Sequence, residues 1–69
     1  MTFDIGKTLR SLREKGGKTQ AQVADAAGLH WNAVARIERG EVQPTFHTVE
    51  SILAGLGLAL RIVSKGRKK

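Results

Sequence analysis

The sequence predicts a small, mainly α-helical domain of four helices followed by a single C-terminal strand. Three observations support this fold class. Apolar residues recur three and four positions apart through most of the chain, which is the pattern of one buried helix face. Capping residues and glycines divide the chain into segments of helix length. Only from Leu58 onward does the apolar pattern change to the alternation that is typical of a strand.

The first two helices are predicted on either side of a Gly16-Gly17 break. One runs from Asp4 to Lys15. Its apolar stripe has the spacing i, i+4, i+7 of a helix face and consists of Ile5, Leu9 and Leu12. The other runs from Gln20 to Ala27, begins after the N-cap Thr19 and ends at Gly28. Its inward face consists of Val23, Ala24 and Ala27.

The third and fourth helices are predicted from His30 and from Pro44-Thr45. His30 is the N-cap of the third helix, which runs to about Arg39 and is closed by Gly40. Its inward residues are Val34 and Ile37. In the fourth helix Thr45 is the N-cap, and the predicted apolar stripe consists of Phe46, Val49, Ile52, Leu53 and Leu56.

Residues 58–64 are predicted to form a strand, because Leu58, Leu60 and Ile62 alternate with other side chains. A lone strand has no partner within the chain, and its simplest partner is the same strand of a second copy. We therefore expect a homodimer about a twofold axis, with these three residues in its interface. A short fifth helix is the alternative for this segment. The domain is then residues 1–64, and residues 65–69 are expected to be a disordered basic tail.

The composition excludes several classes of function. Sixty-nine residues allow one domain, and the absence of cysteine excludes disulfides and thiolate metal sites. His30 and His47 have no metal-ligand spacing, and no set of acid, nucleophile and base is present, so we expect neither a cofactor nor an enzyme. No apolar run approaches a membrane span. The N-terminus also lacks the basic-then-apolar order of a signal peptide, so we expect a cytoplasmic protein.

The net charge of +6 is concentrated at the C-terminus. Four of the twelve basic residues lie in the last five positions: Lys65, Arg67, Lys68 and Lys69. A basic tail on a nearly balanced body indicates a polyanion partner. Solubility is the alternative explanation for the tail. A membrane surface is not expected, because the basic residues do not line one helix opposite a broad apolar face.

The second and third helices have the spacing of a helix-turn-helix. If Gln20 is the first position, Ala24 is the fifth, Gly28 the ninth, Val34 the fifteenth and Ile37 the eighteenth. Two helices that cross steeply through a short turn need a small residue at the corner and a residue in the turn that tolerates positive φ. The last two positions fix the second helix against the first, which leaves its other side free for solvent or a ligand.

The run TQAQVADAAGLHWNAVARIERGEVQPTFHTVESILAGLGL resembles the phage lambda repressor and Cro family, the XRE-type helix-turn-helix regulators. The Thr-Gln opening, the Ala…Gly corner, the Ile-Glu-Arg-Gly close and the following Pro-Thr all fall at family spacing. The resemblance covers roughly residues 5–57. It implies a lambda-repressor-like helical bundle and a sequence-specific regulator of transcription, most often a repressor, that binds double-stranded DNA.

The resemblance also implies which residues face DNA. The third helix would lie in the major groove, with His30, Trp31, Asn32 and Arg36 toward the bases. The chemistry agrees, because asparagine can pair bidentately with adenine and arginine with guanine. Trp31, the one tryptophan, could pack on a thymine methyl group; its alternative is to cover the edge of the core or a dimer partner. His30 is expected to be a cap that also reaches phosphate, and its alternative is a mere exposed cap.

Further positions match phosphate contacts of the family or lie beside them: Gln20, Thr19, Lys18, Gln43 and Arg13. The N-terminus of the second helix favours an anion in any case. Arg13 and Glu38 stand where the family often pairs an arginine of the first helix with this glutamate, and we interpret them as a structural pair. Lys18 departs from the family, which usually has an apolar residue there; it either snorkels toward the DNA backbone or loosens the corner.

Two functions remain open from the sequence. The first is a dimeric repressor on a palindromic operator. The second follows from the ending LALRIVS, which resembles small antitoxin-type regulators, HipB-like or HigA-like, with a C-terminal dimerisation strand. Such a protein would neutralise a toxin by direct binding and regulate its own operon.

Overall fold

The protein is described here from a computed structural model, which covers residues 4–61. It contains four helices: α1 Ile5–Lys15, α2 Gln20–Ala27, α3 Trp31–Glu38 and α4 Phe46–Gly55. The prediction of a four-helix fold is confirmed. No strand occurs between residues 4 and 61, and none of the helices there is long and apolar enough to cross a bilayer.

Each helix begins at a side chain that caps its free backbone N–H groups. Asp4, which the sequence placed inside the first helix, is its N-cap and accepts a hydrogen bond from the Lys7 N–H at 3.1 Å. Thr19 forms a reciprocal capping box with Gln22 at the start of α2. The predicted caps His30 and Thr45 also accept backbone hydrogen bonds. These caps fix where each helix begins, including α3.

The core lies between α2 and its two neighbours, α3 and α4, with α1 packed on α3. Its most deeply buried side chains come from all four helices: Leu9, Val23, Val34 and Ile52. The partly buried Ile5, Leu12, Ala27 and Leu56 surround them. Because α3 contacts both α1 and α2, its orientation is fixed from two sides.

The approach of α1 to α3 requires a glycine that the sequence pattern did not single out. Gly6 is buried, and a Cβ atom at this position would collide with the carbonyl oxygen of Ile37. Only glycine lets the two helix backbones come this close. The beginning of α1 therefore lies directly against the end of α3.

The structure differs from the prediction at the start of α4 and describes how α4 ends. Phe46 was predicted to belong to the apolar stripe, and this is wrong: its side chain is 55% exposed, because burial in α4 begins one turn later at Val49. After α4, the Leu58 N–H caps the helix by bonding to the Leu53 carbonyl at 2.8 Å. Residues 58–61 then continue without regular structure.

The predicted dimerisation strand is only partly covered by the structure. Leu58 and Leu60 are 42% and 39% exposed, respectively, whereas Ile62 and residues 63–64 lie outside the described residues. A strand whose partner is a second copy cannot form within one chain, so this expectation stays a prediction. The predicted basic tail, residues 65–69, also lies outside the described part of the chain.

Candidate nucleic-acid interface

The turn between α2 and α3 has the backbone that the spacing required. Gly28 adopts the left-handed conformation with φ 72°, and the Leu29 N–H bonds to the Ala24 carbonyl at 2.8 Å. Ala24 itself is fully buried at the corner. A left-handed residue is inexpensive only for glycine, so Gly28 sets the direction in which α3 leaves the turn.

The third helix has one buried side and one exposed side. Val34, Ala35 and Ile37 are almost completely buried against the rest of the domain. On the other side Asn32 and Arg36 are exposed, and Trp31 is 55% exposed. Trp31 therefore lies outside the core, and its contact with DNA stays a prediction. A rigidly packed helix thus presents an aromatic ring, an amide and a guanidinium to solvent.

His30 is held at the start of α3 by two contacts. Its Nδ1 accepts a hydrogen bond from the Asn32 N–H at 3.1 Å, and its ring stacks on Trp31 with 5.8 Å between ring centroids. A neutral imidazole that accepts at Nδ1 carries its proton on Nε2. The cap therefore leaves His30 with one N–H donor that the helix does not use.

A buried ion pair fixes the C-terminal end of α3 to α1. Arg13 donates to Glu38 from Nε at 2.7 Å and from Nη2 at 2.9 Å, a bidentate geometry. The side chains are only 12% and 4% exposed. Gln20 of α2 donates to the same carboxylate at 3.0 Å, so Glu38 ties three helices together.

The same contacts determine the ionisation of Glu38. Burial raises the pKa of its carboxyl, but hydrogen bonds from Arg13 and Gln20 and the charge of Arg13 outweigh burial. The pKa of Glu38 is therefore lowered from its ordinary value of 4.5. Glu38 is thus an ionised, fully partnered structural group, which agrees with the structural interpretation of the Arg13–Glu38 pair.

Three of the candidate phosphate contacts lie at the start of α2. Lys18 and Thr19 are exposed there, while Gln20 is half-buried and already donates one hydrogen bond to Glu38. Gln43 is exposed in the loop before α4. Arg13 differs from these, because its guanidinium already donates hydrogen bonds to the Glu38 carboxylate and, at 2.8 Å, to the Lys18 carbonyl. A phosphate contact from Arg13 therefore stays a prediction, made with the N–H groups that these bonds do not use.

A second acidic residue near α3 was not found from the sequence. The Glu41 carboxylate lies 3.6 Å from Arg36 Nε and accepts a hydrogen bond from Arg39 Nε at 2.6 Å. That hydrogen bond and the charges of both arginines lower the pKa of Glu41. Gly40 could have predicted this contact from the sequence, because a glycine that ends a helix turns the residue after it back toward the helix.

No metal-ligating group of His, Asp or Glu side chains forms in the part of the chain that the structure describes. The surface around α3 therefore offers hydrogen-bond donors, an aromatic ring and positive charge rather than ligands for a metal ion. Groups of these kinds suit the base edges and phosphates of DNA.

Comparison with known proteins identifies the family. The model of a family described as "Helix-turn-helix domain" matches residues 4–61, which is most of the chain. This chain belongs to the helix-turn-helix domain family. The family predicted from the sequence is thereby confirmed, and the matched residues include all four helices.

Several relatives share this domain. The chain is 29% identical over 59 residues to the immunity repressor protein of Bacillus phage phi105, covering 86% of this chain and 41% of that protein. It is 37% identical over 57 residues to an uncharacterized HTH-type transcriptional regulator of Haemophilus influenzae, covering 83% of this chain and 58% of that protein. The chain thus spans about half the length of these curated relatives.

A solved structure has the same fold. A point mutant of the restriction-modification controller protein C.Esp1396I superimposes with a TM-score of 0.78 and 27% sequence identity. The match covers 81% of this chain and 73% of that protein.

Proposed function

We propose that this protein is a transcriptional repressor that binds a specific sequence in double-stranded DNA. The proposal rests on the difference between the two sides of α3. One side is buried in the core and tied to α1 and α2 through Glu38, while the other presents Asn32 and Arg36 to solvent, with the exposed Trp31 at the start of the helix. The relatives named as a phage immunity repressor and as transcriptional regulators support the same function.

In the proposed complex the outward side of α3 enters the major groove. Asn32 pairs with an adenine and Arg36 with a guanine. The two residues are one helical turn apart, so they reach nearby base pairs on one stretch of groove. Trp31 packs on a thymine methyl group or on the sugars at the groove edge. Each residue then contributes a different kind of contact to the sequence preference.

Phosphate contacts hold α3 in register. We assign these to the free N–H groups at the start of α2, with Gln20, Thr19 and Lys18 beside them. His30 donates from Nε2 at the start of α3, and Gln43 contributes from the loop before α4. The contacts flank α3 in the chain, as expected for a helix that lies between the two DNA backbones.

We propose further that two copies bind a palindrome, with half-sites about 34 Å apart. The exposed Leu58 and Leu60 support a contact between copies, because apolar side chains of this size gain from being covered. Leu60 and the predicted interface residue Ile62 would pair across the twofold axis.

Selection of a random duplex pool by the purified protein tests the proposal. At about 150 mM salt, long-range attraction to the basic tail is screened, so enrichment reports contacts at close range. We expect a palindromic sequence to be enriched, and Asn32→Ala and Arg36→Ala to blur it at different base pairs. Arg10→Ala is the matched control, since it removes the same charge from an exposed position on α1.

Two outcomes would contradict the proposal. Weak binding without an enriched sequence would mean that DNA reading is not the function, and would direct the search to a protein partner such as a toxin. An equal loss of sequence preference in Arg10→Ala would mean that positive charge alone, rather than the residues on the exposed side of α3, determines binding.

The dimer is tested separately by removing residues 60–69. This deletion keeps Leu58, whose N–H caps α4, so the helical domain stays intact. We expect the shortened protein to sediment as a monomer and to bind a half-site more weakly than the full chain binds the palindrome. A shortened protein that remains dimeric would place the interface elsewhere.

A further inference from the structure

The loop after α3 holds a carboxylate against the arginine that we propose reads guanine. Glu41 contacts Arg36 and Arg39 through its two different oxygen atoms, at 3.6 Å and 2.6 Å. All three side chains are about half exposed. Exposed ion pairs of this kind contribute little to stability. The position of Glu41 therefore calls for a role other than folding.

The backbone places Glu41 beside Arg36. Gly40 is left-handed with φ 78°, its N–H bonds to the Ile37 carbonyl at 3.0 Å, and the Glu41 N–H bonds to the Arg36 carbonyl at 2.9 Å. These two bonds are a Schellman motif, in which the second residue after the cap lies against the third residue before it. An apolar pair usually occupies those two positions, and here they hold Arg36 and Glu41.

The geometry also leaves the reading end of Arg36 free. The contact to Glu41 is made from Nε, which leaves the two terminal amino groups for a bidentate contact to guanine. The charge contact at 3.6 Å narrows the orientations of the guanidinium before it meets DNA, so less ordering remains to be done on binding. One carboxylate between two arginines leaves a net positive charge, so this corner of the protein still attracts phosphate.

We propose that Glu41 is a positioning residue for DNA reading: it orients Arg36 toward its base pair and restrains Arg39. This inference rests on the proposed function and adds a specificity determinant outside α3. Glu41 touches no base in this arrangement and acts through Arg36. Its loss should reduce discrimination between sequences more than it reduces affinity for DNA as such.

The test compares binding of Glu41→Gln to the duplex selected by the wild type, to duplexes changed at the base pair that Arg36 reads, and to a random duplex. A bidentate arginine contact discriminates by about tenfold to a hundredfold, and we expect Glu41→Gln to lose about threefold to tenfold of this. Random-duplex binding should strengthen, since a negative charge is removed. Glu41→Asp keeps the carboxylate and should restore part of the discrimination.

Two controls separate positioning from charge and from folding. Glu50→Gln makes the same charge change at an exposed site on α4 and should leave discrimination intact. In an Arg36→Ala background, Glu41→Gln should cause no further loss of discrimination, because the residue through which it acts is gone. Thermal unfolding followed by circular dichroism verifies that each variant is folded.

Three results would overturn the inference. Discrimination unchanged in Glu41→Gln would show that Arg36 needs no such partner. An equal loss with and without Arg36 would show that Glu41 acts by another route. If the wild type itself discriminates no sequence, the proposed function fails together with this inference, whereas a discriminating wild type with an unaffected Glu41→Gln contradicts the inference alone.

Discussion

Two glutamates near the end of α3, Glu38 and Glu41, are paired with arginines in different surroundings. Glu38 pairs with Arg13 at 2.7 Å and 2.9 Å, where both side chains are nearly buried. Glu41, three residues later, lies 3.6 Å from Arg36, where the side chains are 47% and 50% exposed. One pair faces the core and joins three helices, and the other faces solvent beside the proposed reading surface.

The difference in burial assigns the two pairs to different tasks. A buried carboxylate that loses its partner is left desolvated and uncompensated, so the first pair is needed for the fold. An exposed pair is hydrated whether or not it forms, so the second pair can change partners without cost to the fold. The first therefore fixes where α3 lies, and the second is free to orient a side chain toward a ligand.

The largest expected effect comes from breaking the buried pair. Arg13→Met leaves Glu38 buried without its cation and should lower the free energy of unfolding by about 3–5 kcal/mol, measured by urea titration. The double variant Arg13→Met/Glu38→Leu removes both charges and should recover most of this loss. A double variant as unstable as the single one would contradict the account, because the loss would then not come from an unpaired charge.

The next effect tests the glycine that lies between the two glutamates. Gly40→Ala forces a side chain into a left-handed conformation and should cost about 1–2 kcal/mol of unfolding free energy. The control is Gly16→Ala, where φ is −80° and the added Cβ makes only ordinary contacts. Equal destabilisation by both substitutions would mean that the left-handed turn after α3 is not what places Glu41.

A smaller effect follows from the lowered pKa of Glu38. A carboxyl whose pKa is lower in the folded state stabilises the protein fully above its unfolded value, and this stabilisation is lost as the pH falls through the folded pKa. Wild-type stability should therefore decline below the ordinary value of 4.5. The decline should be shallower in Arg13→Met/Glu38→Leu, followed by urea titration at a series of acidic pH values. Parallel declines would show that other carboxyl groups cause it.

The smallest expected effect on stability belongs to the exposed pair. Glu41→Gln should leave the urea midpoint unchanged at neutral pH, because the three side chains are hydrated in either state. Glu14→Gln, which breaks the exposed pair with Arg10 on α1, is the comparison. A clear shift of the midpoint for Glu41→Gln alone would make Glu41 a structural residue and remove the contrast between the two pairs.

Much of this arrangement follows from local pattern. The helix bounds could be predicted because periodic apolar residues and the caps Thr19, His30 and Thr45 act within one turn of chain. The Arg13–Glu38 pair was found only through family resemblance, since its partners are 25 positions apart. Gly6 was missed for the same reason, because the α3 backbone that requires it lies far along the chain.

Other features needed information beyond periodicity. The apolar pattern placed Phe46 on the buried face of α4. The pattern does not show how far along the helix the neighbouring helices reach, and in α4 burial begins only at Val49. Glu41 could have been found from Gly40, which marks a Schellman turn and so brings residues five apart into contact. The predicted strand at residues 58–64 would need a second copy as its partner, which one sequence does not supply.

The most direct test of the central claim, that the outward side of α3 binds DNA, is acrylamide quenching of the fluorescence of Trp31. It is the sole tryptophan, it is 55% exposed, and it lies at the first residue of α3. Saturation with the selected duplex at about 150 mM salt should markedly lower the quenching constant. An unchanged quenching constant with the duplex fully bound would contradict the claim, because the DNA would then lie on another surface.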